Sequence, residues 1–133
     1  MLNIEIKTIP HLQHRYPTVG DYYYEDGKTK IFVSDMQNEK YEFLVAAHEM
    51  IEEFLTKVRG IKEEQINEFD IEFEKNRKKG DLSEPGDSLF APYYNEHKFA
   101  TFIEELLALE MGVNWEEYEK AIINLDESTD PVR

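Results

Sequence analysis

His48 and Glu52 are the residues of this chain best spaced to do chemistry together. They stand four apart in the string Ala46-Ala-His-Glu-Met-Ile-Glu-Glu53. On a helix, that spacing puts both side chains on one side, one turn apart. Leu44, Ala47, Ile51, Leu55 and Val58 recur at 3- and 4-residue steps, so the pair falls on the apolar face. A carboxylate on such a face is costly unless it is paired or bound to a cation. An imidazole and a carboxylate one turn apart can hold one divalent ion between them. Glu49, the next residue after His48, is placed to take a proton from a water activated by that ion. A plainer arrangement is a His48–Glu52 hydrogen bond that orders two helices. Glu49 would then be a solvated helix residue, with Glu53 and Lys57 forming the exposed pair four apart.

A third ligand is available in Asn95-Glu-His-Lys-Phe-Ala-Thr-Phe-Ile-Glu104. His97, Thr101, Glu104 and Ala108 form one helical stripe, and His97 and Glu104 point the same way across two turns. If this helix packs against the one carrying His48, the set His48, Glu52 and His97 is complete. Two imidazoles, one carboxylate and an open position for water make the pattern of a catalytic zinc ion. Glu104 extends the set as a fourth ligand or as the partner of a ligand histidine. Asp70, beside Phe69 and Phe73, caps a loop, orients His48 or faces water. Glu84 and Asp87 flank Pro85-Gly86 and read as turn chemistry. His11 and His14 read as surface residues, and Tyr22–Tyr24 as sheet packing.

The elements that must position these groups follow from periodicity. Leu2, Ile4 and Ile6 alternate with polar residues over 2–9, the period of a half-buried strand, which Pro10 ends. Residues 11–19 read as irregular. Asp26-Gly27 between Asp21–Glu25 and Lys30–Ser34 signals a hairpin of antiparallel neighbours. Asp35 or Asn38 can cap a helix over 39–59, closed by Gly60. A second helix is predicted over 62–78 with Ile66, Phe69 and Phe73 inward, then a long loop over 80–94. A third runs over 95–111 between Asn95 as cap and Gly112 as stop, and a fourth over 115–124 after Asn114, burying Trp115, Tyr118 and Ile122. The order predicts an α+β fold: a small antiparallel sheet or hairpin at the N-terminus packed against three to four helices. One domain over 1–125 and a polar, frayed tail over 126–133 are expected.

Composition narrows the function classes. The 133 residues are 41% hydrophobic, enough for one core. A formal net charge of −14 repels phosphate backbones, so nucleic acid is not an expected partner. The chain has no Cys, which removes disulfides, thiolate ligands and a cysteine nucleophile together. The start MLNIEIKTIP lacks the pattern of a signal peptide, and no apolar run approaches about 18 residues. A cytoplasmic protein without membrane contact is expected. Glycine-rich phosphate loops, a Gly-x-Ser-x-Gly elbow, EF-hand spacing and paired E-x-x-H motifs are absent from the sequence.

The strand Lys30–Ser34 followed by a helix with His48-Glu49-x-x-Glu52, and a ligand from a later helix, resembles the core of the zincin metalloproteases. The resemblance covers residues 30–59 and 95–108, with Glu52 where H-E-x-x-H has its second histidine. It implies a zincin-like fold, a zinc ion and hydrolysis of an amide or related polar bond in a small-molecule or peptide substrate, with Glu49 as general base. Glu84-Pro-Gly-Asp87, Ala91-Pro-Tyr93 and Glu96-His97 also resemble a family of small uncharacterised bacterial and phage proteins, which implies no activity. Beside the hydrolase stands a non-catalytic binding or structural module, its metal fully coordinated or absent.

Overall fold

The computed structural model of the chain describes residues 1–128. Three strands come first, β1 (Ile4–Ile9), β2 (Gly20–Glu25) and β3 (Lys28–Ser34). Four helices follow, α1 (Glu39–Val58), α2 (Glu63–Lys75), α3 (Tyr94–Glu110) and α4 (Trp115–Ser128). The class is α+β. The sheet, however, is mixed and not antiparallel. Its order is β1-β3-β2, with β1 parallel to β3 from Ile4 opposite Thr29 to Ile9 opposite Ser34. The hairpin β2–β3 forms as expected around Asp26 (φ 55°) and Gly27 (φ 78°), a turn that needs two positive φ angles. Period-two alternation says which face of a strand is buried but not which way the strand runs. The segment after Pro10 crosses the sheet end and delivers β2 to the far edge, leaving β1 beside β3. As an edge strand β1 is less buried than its alternation suggests: Ile6 is 47% exposed, and Leu2, which lies before the strand, 67%.

The core lies between β3 and α1. Ile31 and Val33 of β3 meet Leu44 and Val45 of α1, with Tyr118 of α4 closing the cluster. Asn38 caps α1 by accepting from the Tyr41 N–H, and Gly60 (φ 73°) turns the chain away at its end. Helices α1 and α3 pack against each other, and alanines are among the buried residues of both, Ala46 and Ala47 on α1 and Ala100 and Ala108 on α3. Small side chains bring two helix backbones close together, so long polar side chains beside them can meet across the interface. Those polar side chains are buried: His48 and Glu52 on α1, Glu96, His97 and Glu104 on α3. Glu53, expected to be exposed beside Lys57, is buried as well and accepts from the Thr29 hydroxyl at 3.1 Å. The sheet packs on that flank of α1, a burial that helical spacing alone does not show.

Helix boundaries shift where local chemistry overrides pattern. Helix α3 begins at Tyr94 after Tyr93 and not after Asn95. Helix α2 ends at Lys75, where the Asn76 side chain donates to the Glu72 carbonyl. The loop over 80–94 contains a short 3-10 turn, Pro85–Asp87. Asn114 accepts from the Glu117 N–H as predicted, but α4 continues to Ser128, so residues 126–128 of the expected tail are helical. Residues 129–133 of that tail lie outside the described residues.

His11 and His14 are not simply surface residues. Both rings converge on the fully buried Ser34 hydroxyl, His11 Nδ1 at 2.7 Å and His14 Nε2 at 2.9 Å. A hydroxyl can donate to one imidazole while accepting from the other. Burial pushes both imidazoles below their ordinary pKa. The unfolded chain therefore takes up these protons first as pH falls. The contribution of the pair to stability is full above about pH 6.5 and shrinks below it. Urea titrations of the wild type and of His14→Gln at pH 8 and pH 5 should show the wild-type advantage smaller at pH 5. An advantage that grows at pH 5 would contradict a neutral buried pair.

Candidate metal centre

Three side chains meet between α1 and α3. His48 Nε2 lies 3.0 Å from Glu52 Oε2, and His97 Nδ1 lies 2.7 Å from the same oxygen. The two nitrogens are 3.2 Å apart. His48, Glu52 and His97 are 7%, 5% and 5% exposed, so water does not satisfy them. Together they form a buried group that could hold a metal ion. Tetrahedral ligands at zinc distances sit about 3.3 Å from one another, close to the spacing found.

The opposite nitrogen of each ring is already engaged. His48 Nδ1 is 2.8 Å from Glu104 Oε1, and Glu104 Oε2 accepts from the Tyr118 hydroxyl at 2.5 Å. His97 Nε2 is 3.0 Å from Asp87 Oδ1 and 3.1 Å from Glu84 Oε2. A carboxylate only accepts, so it holds the ring N–H on its own side. In the neutral tautomers this leaves the His48 Nε2 and His97 Nδ1 lone pairs both aimed at Glu52. Carboxylate behind imidazole, with the other nitrogen facing inward, is how metal-binding histidines are oriented. Glu104 stands behind His48 and outside the group of three that could share an ion.

Electrostatics follows the same contacts. Burial alone would push the His48 imidazole down, but hydrogen bonds to Glu104 and Glu52 outweigh it and hold the ring well above its usual value. His97 is likewise raised against burial by Asp87, Glu52 and Glu84. Burial would raise Glu52, and the bonds from both imidazoles reverse this, taking it to about 2. Without a cation the centre therefore holds protons, and a divalent ion must displace them to bind.

The centre forms part of the wall of a cleft of about 420 Å³, which Glu49 and Asp70 also line. Glu49 makes no hydrogen bond or ion pair among the described residues, and burial followed by the Glu52 charge holds it well above the usual carboxylate range. Asp70 accepts from the Tyr93 hydroxyl at 2.6 Å, and burial raises it to about 7. It does not touch His48. The turn acids Glu84 and Asp87, first read as plain turn chemistry, also hold His97. The capping contacts of the turn are present too, since the Glu84 N–H donates to Asp87 Oδ2.

Tyr22, Tyr118 and Gly86 are not among the site residues expected from the sequence, although Tyr118 is expected to be buried. Tyr22 carries a buried hydroxyl with no hydrogen-bond partner and lines the cleft. A Cβ added to Gly86 would stand 2.5 Å from His97 Cγ, so the turn lies directly against the imidazole. The only sequence signal for that contact is the Pro85-Gly86 pair itself.

Two outcomes follow. Glu104→Gln and Gly86→Ala should each lower zinc affinity about 10- to 100-fold in competition with a chromophoric chelator, the first by loosening His48 and the second by displacing His97. Unchanged affinity in both would mean that neither ring is held from behind. Zinc binding at pH 7 should also release protons, measured calorimetrically in buffers of different ionisation enthalpy. Binding without release would contradict the raised imidazoles. Compared with known proteins, the chain matches no family model, no curated protein and no solved structure.

Proposed function

We propose that the chain is a metal-binding protein whose centre works as a zinc-dependent hydrolase of amide or related polar bonds. One observation carries this reading: two imidazoles, each backed by a carboxylate, turn their inner nitrogens onto Glu52 beside an open cleft that also holds Glu49. An N,N,O set without thiolate suits zinc. The zincin resemblance of His48-Glu49-x-x-Glu52 is in keeping with it. A closed structural site would need a fourth ligand. Glu104 sits behind His48 and Asp70 bonds Tyr93, so neither fills that place. That favours the hydrolase over the non-catalytic module.

When bound, the ion would supply Lewis-acid activation of water and of the substrate carbonyl. The residues of the chain do the rest. Glu49 takes the water proton as its oxygen bonds to the carbonyl carbon. It then gives that proton to the leaving nitrogen as the carbon–nitrogen bond breaks. A nearby dication lowers the Glu49 pKa and makes it available as a base. Glu104, Asp87 and Glu84 keep the two rings from turning. A cleft of about 420 Å³ admits a small molecule or a few residues of an extended peptide, not a folded protein.

Glu49→Gln should keep its zinc, read by metal analysis, and lose about 10²- to 10⁴-fold in turnover of a panel of amide and ester substrates. His48→Ala should lose the zinc itself. Full turnover in Glu49→Gln, or equal zinc in His48→Ala, would overturn the reading.

A further inference from the structure

The carboxylates of the cleft divide by partner. Asp21 is held by Arg15 through two bonds of 2.7 and 2.8 Å. Glu74 is held by Arg77 through two bonds of 2.8 Å. Glu52 and Glu84 face the imidazoles of the centre. Glu49 and Asp70 have no cation within ion-pair distance among the described residues. Glu49 is accounted for by its place next to His48. Asp70 is not. One of its oxygens takes the Tyr93 hydroxyl, and the other has no protein donor. Asp70 is only half-buried, so that oxygen is open to a cation brought into the cleft.

A second group in the same cleft also lacks a partner. The Tyr22 hydroxyl is shielded from solvent and lies beside Thr56 and Glu52, with no hydrogen bond of good geometry to either. A hydroxyl so placed can donate to a polar atom brought into the cleft. The cleft thus offers an acid that wants a cation and a hydroxyl that wants a polar atom, on walls shared with the centre.

We propose that the ligand of this cleft carries a primary ammonium group that pairs with Asp70, next to a carbonyl group that meets Tyr22 and the centre. The substrate class is an aminoacyl amide or a short peptide with a free N-terminus. This rests on the hydrolase reading for its chemistry. In that chemistry a water oxygen bonds to the carbonyl carbon, the carbon–nitrogen bond breaks, and the water proton passes through Glu49 to the leaving amine. The products are a free amino acid and an amine. Asp70 takes no part in the bond changes and acts as the anchor of the ammonium group. Burial that holds Asp70 up at about 7 in the absence of a cation is in keeping with a missing positive partner.

The test uses zinc-loaded full-length protein, with leucinamide and N-acetyl-leucinamide as probes, and measures binding by calorimetry and turnover separately. A charge-assisted contact in a desolvated site should make leucinamide bind about 10- to 100-fold more tightly than its acetylated form. Asp70→Asn, checked for zinc content, should erase that preference. Tyr22→Phe should weaken both probes alike. Equal binding of the two probes to the wild type, or no binding of either, overturns the ammonium proposal whatever Asp70→Asn does. Binding with the expected preference but no turnover leaves the ammonium site standing and removes the hydrolase reading. Cleavage of both probes at equal rates does the reverse.

Discussion

Everything at the centre of this molecule depends on one buried carboxylate held between two imidazoles. Glu52 receives His48 from its own helix and His97 from α3, and it can do so only because α1 and α3 pack against each other. Taking a carboxylate out of water costs several kcal/mol unless nearby donors or a cation replace the lost hydration. The outer ring of Glu104, Asp87 and Glu84 extends the same logic by one layer. Acid and imidazole alternate from Glu104 through His48 and Glu52 to His97, so moving one of these four leaves its neighbour buried and without that partner. A structural ion pair would be complete with fewer members. The extra carboxylates make sense if the inner nitrogens are meant to be bare and oriented.

Much of this was legible in the sequence because helical spacing is rigid. The four-residue step from His48 to Glu52 and the seven-residue step from His97 to Glu104 fix which side chains share a face, and the structure brings these four together. Spacing within an element says nothing about what another element brings to it. The Pro85-Gly86 turn closes onto His97 from a loop whose path no periodicity encodes. Tyr22 enters from β2, and its residue type alone marked it only as sheet packing.

The misreadings share a cause. Glu53 and Lys57 looked like an exposed pair because α1 was read as having one buried face, yet β3 covers a second flank and Thr29 claims Glu53. His11 and His14 looked exposed because the loop that holds them has no pattern. They are drawn in by Ser34, which ends β3 with a hydroxyl no strand neighbour satisfies. The sheet was read as antiparallel because alternation carries no direction. In each case a contact distant in sequence overrode a correct local reading.

The mixed sheet has a consequence for self-association. With β3 in the middle, the outer edge of β1 has no strand beside it among the described residues, and an unpaired ladder invites another chain to add to it. This edge is short and charged. Lys7 and Glu5 lie 3.8 Å apart along it, Lys28 reaches Glu5 at 3.2 Å from the neighbouring strand, and Pro10 follows its last residue with no N–H to offer. A second copy docking there would have to strip water from those charges and meet them with its own. The chain thus carries its own guard against fibrous aggregation along this edge of the sheet.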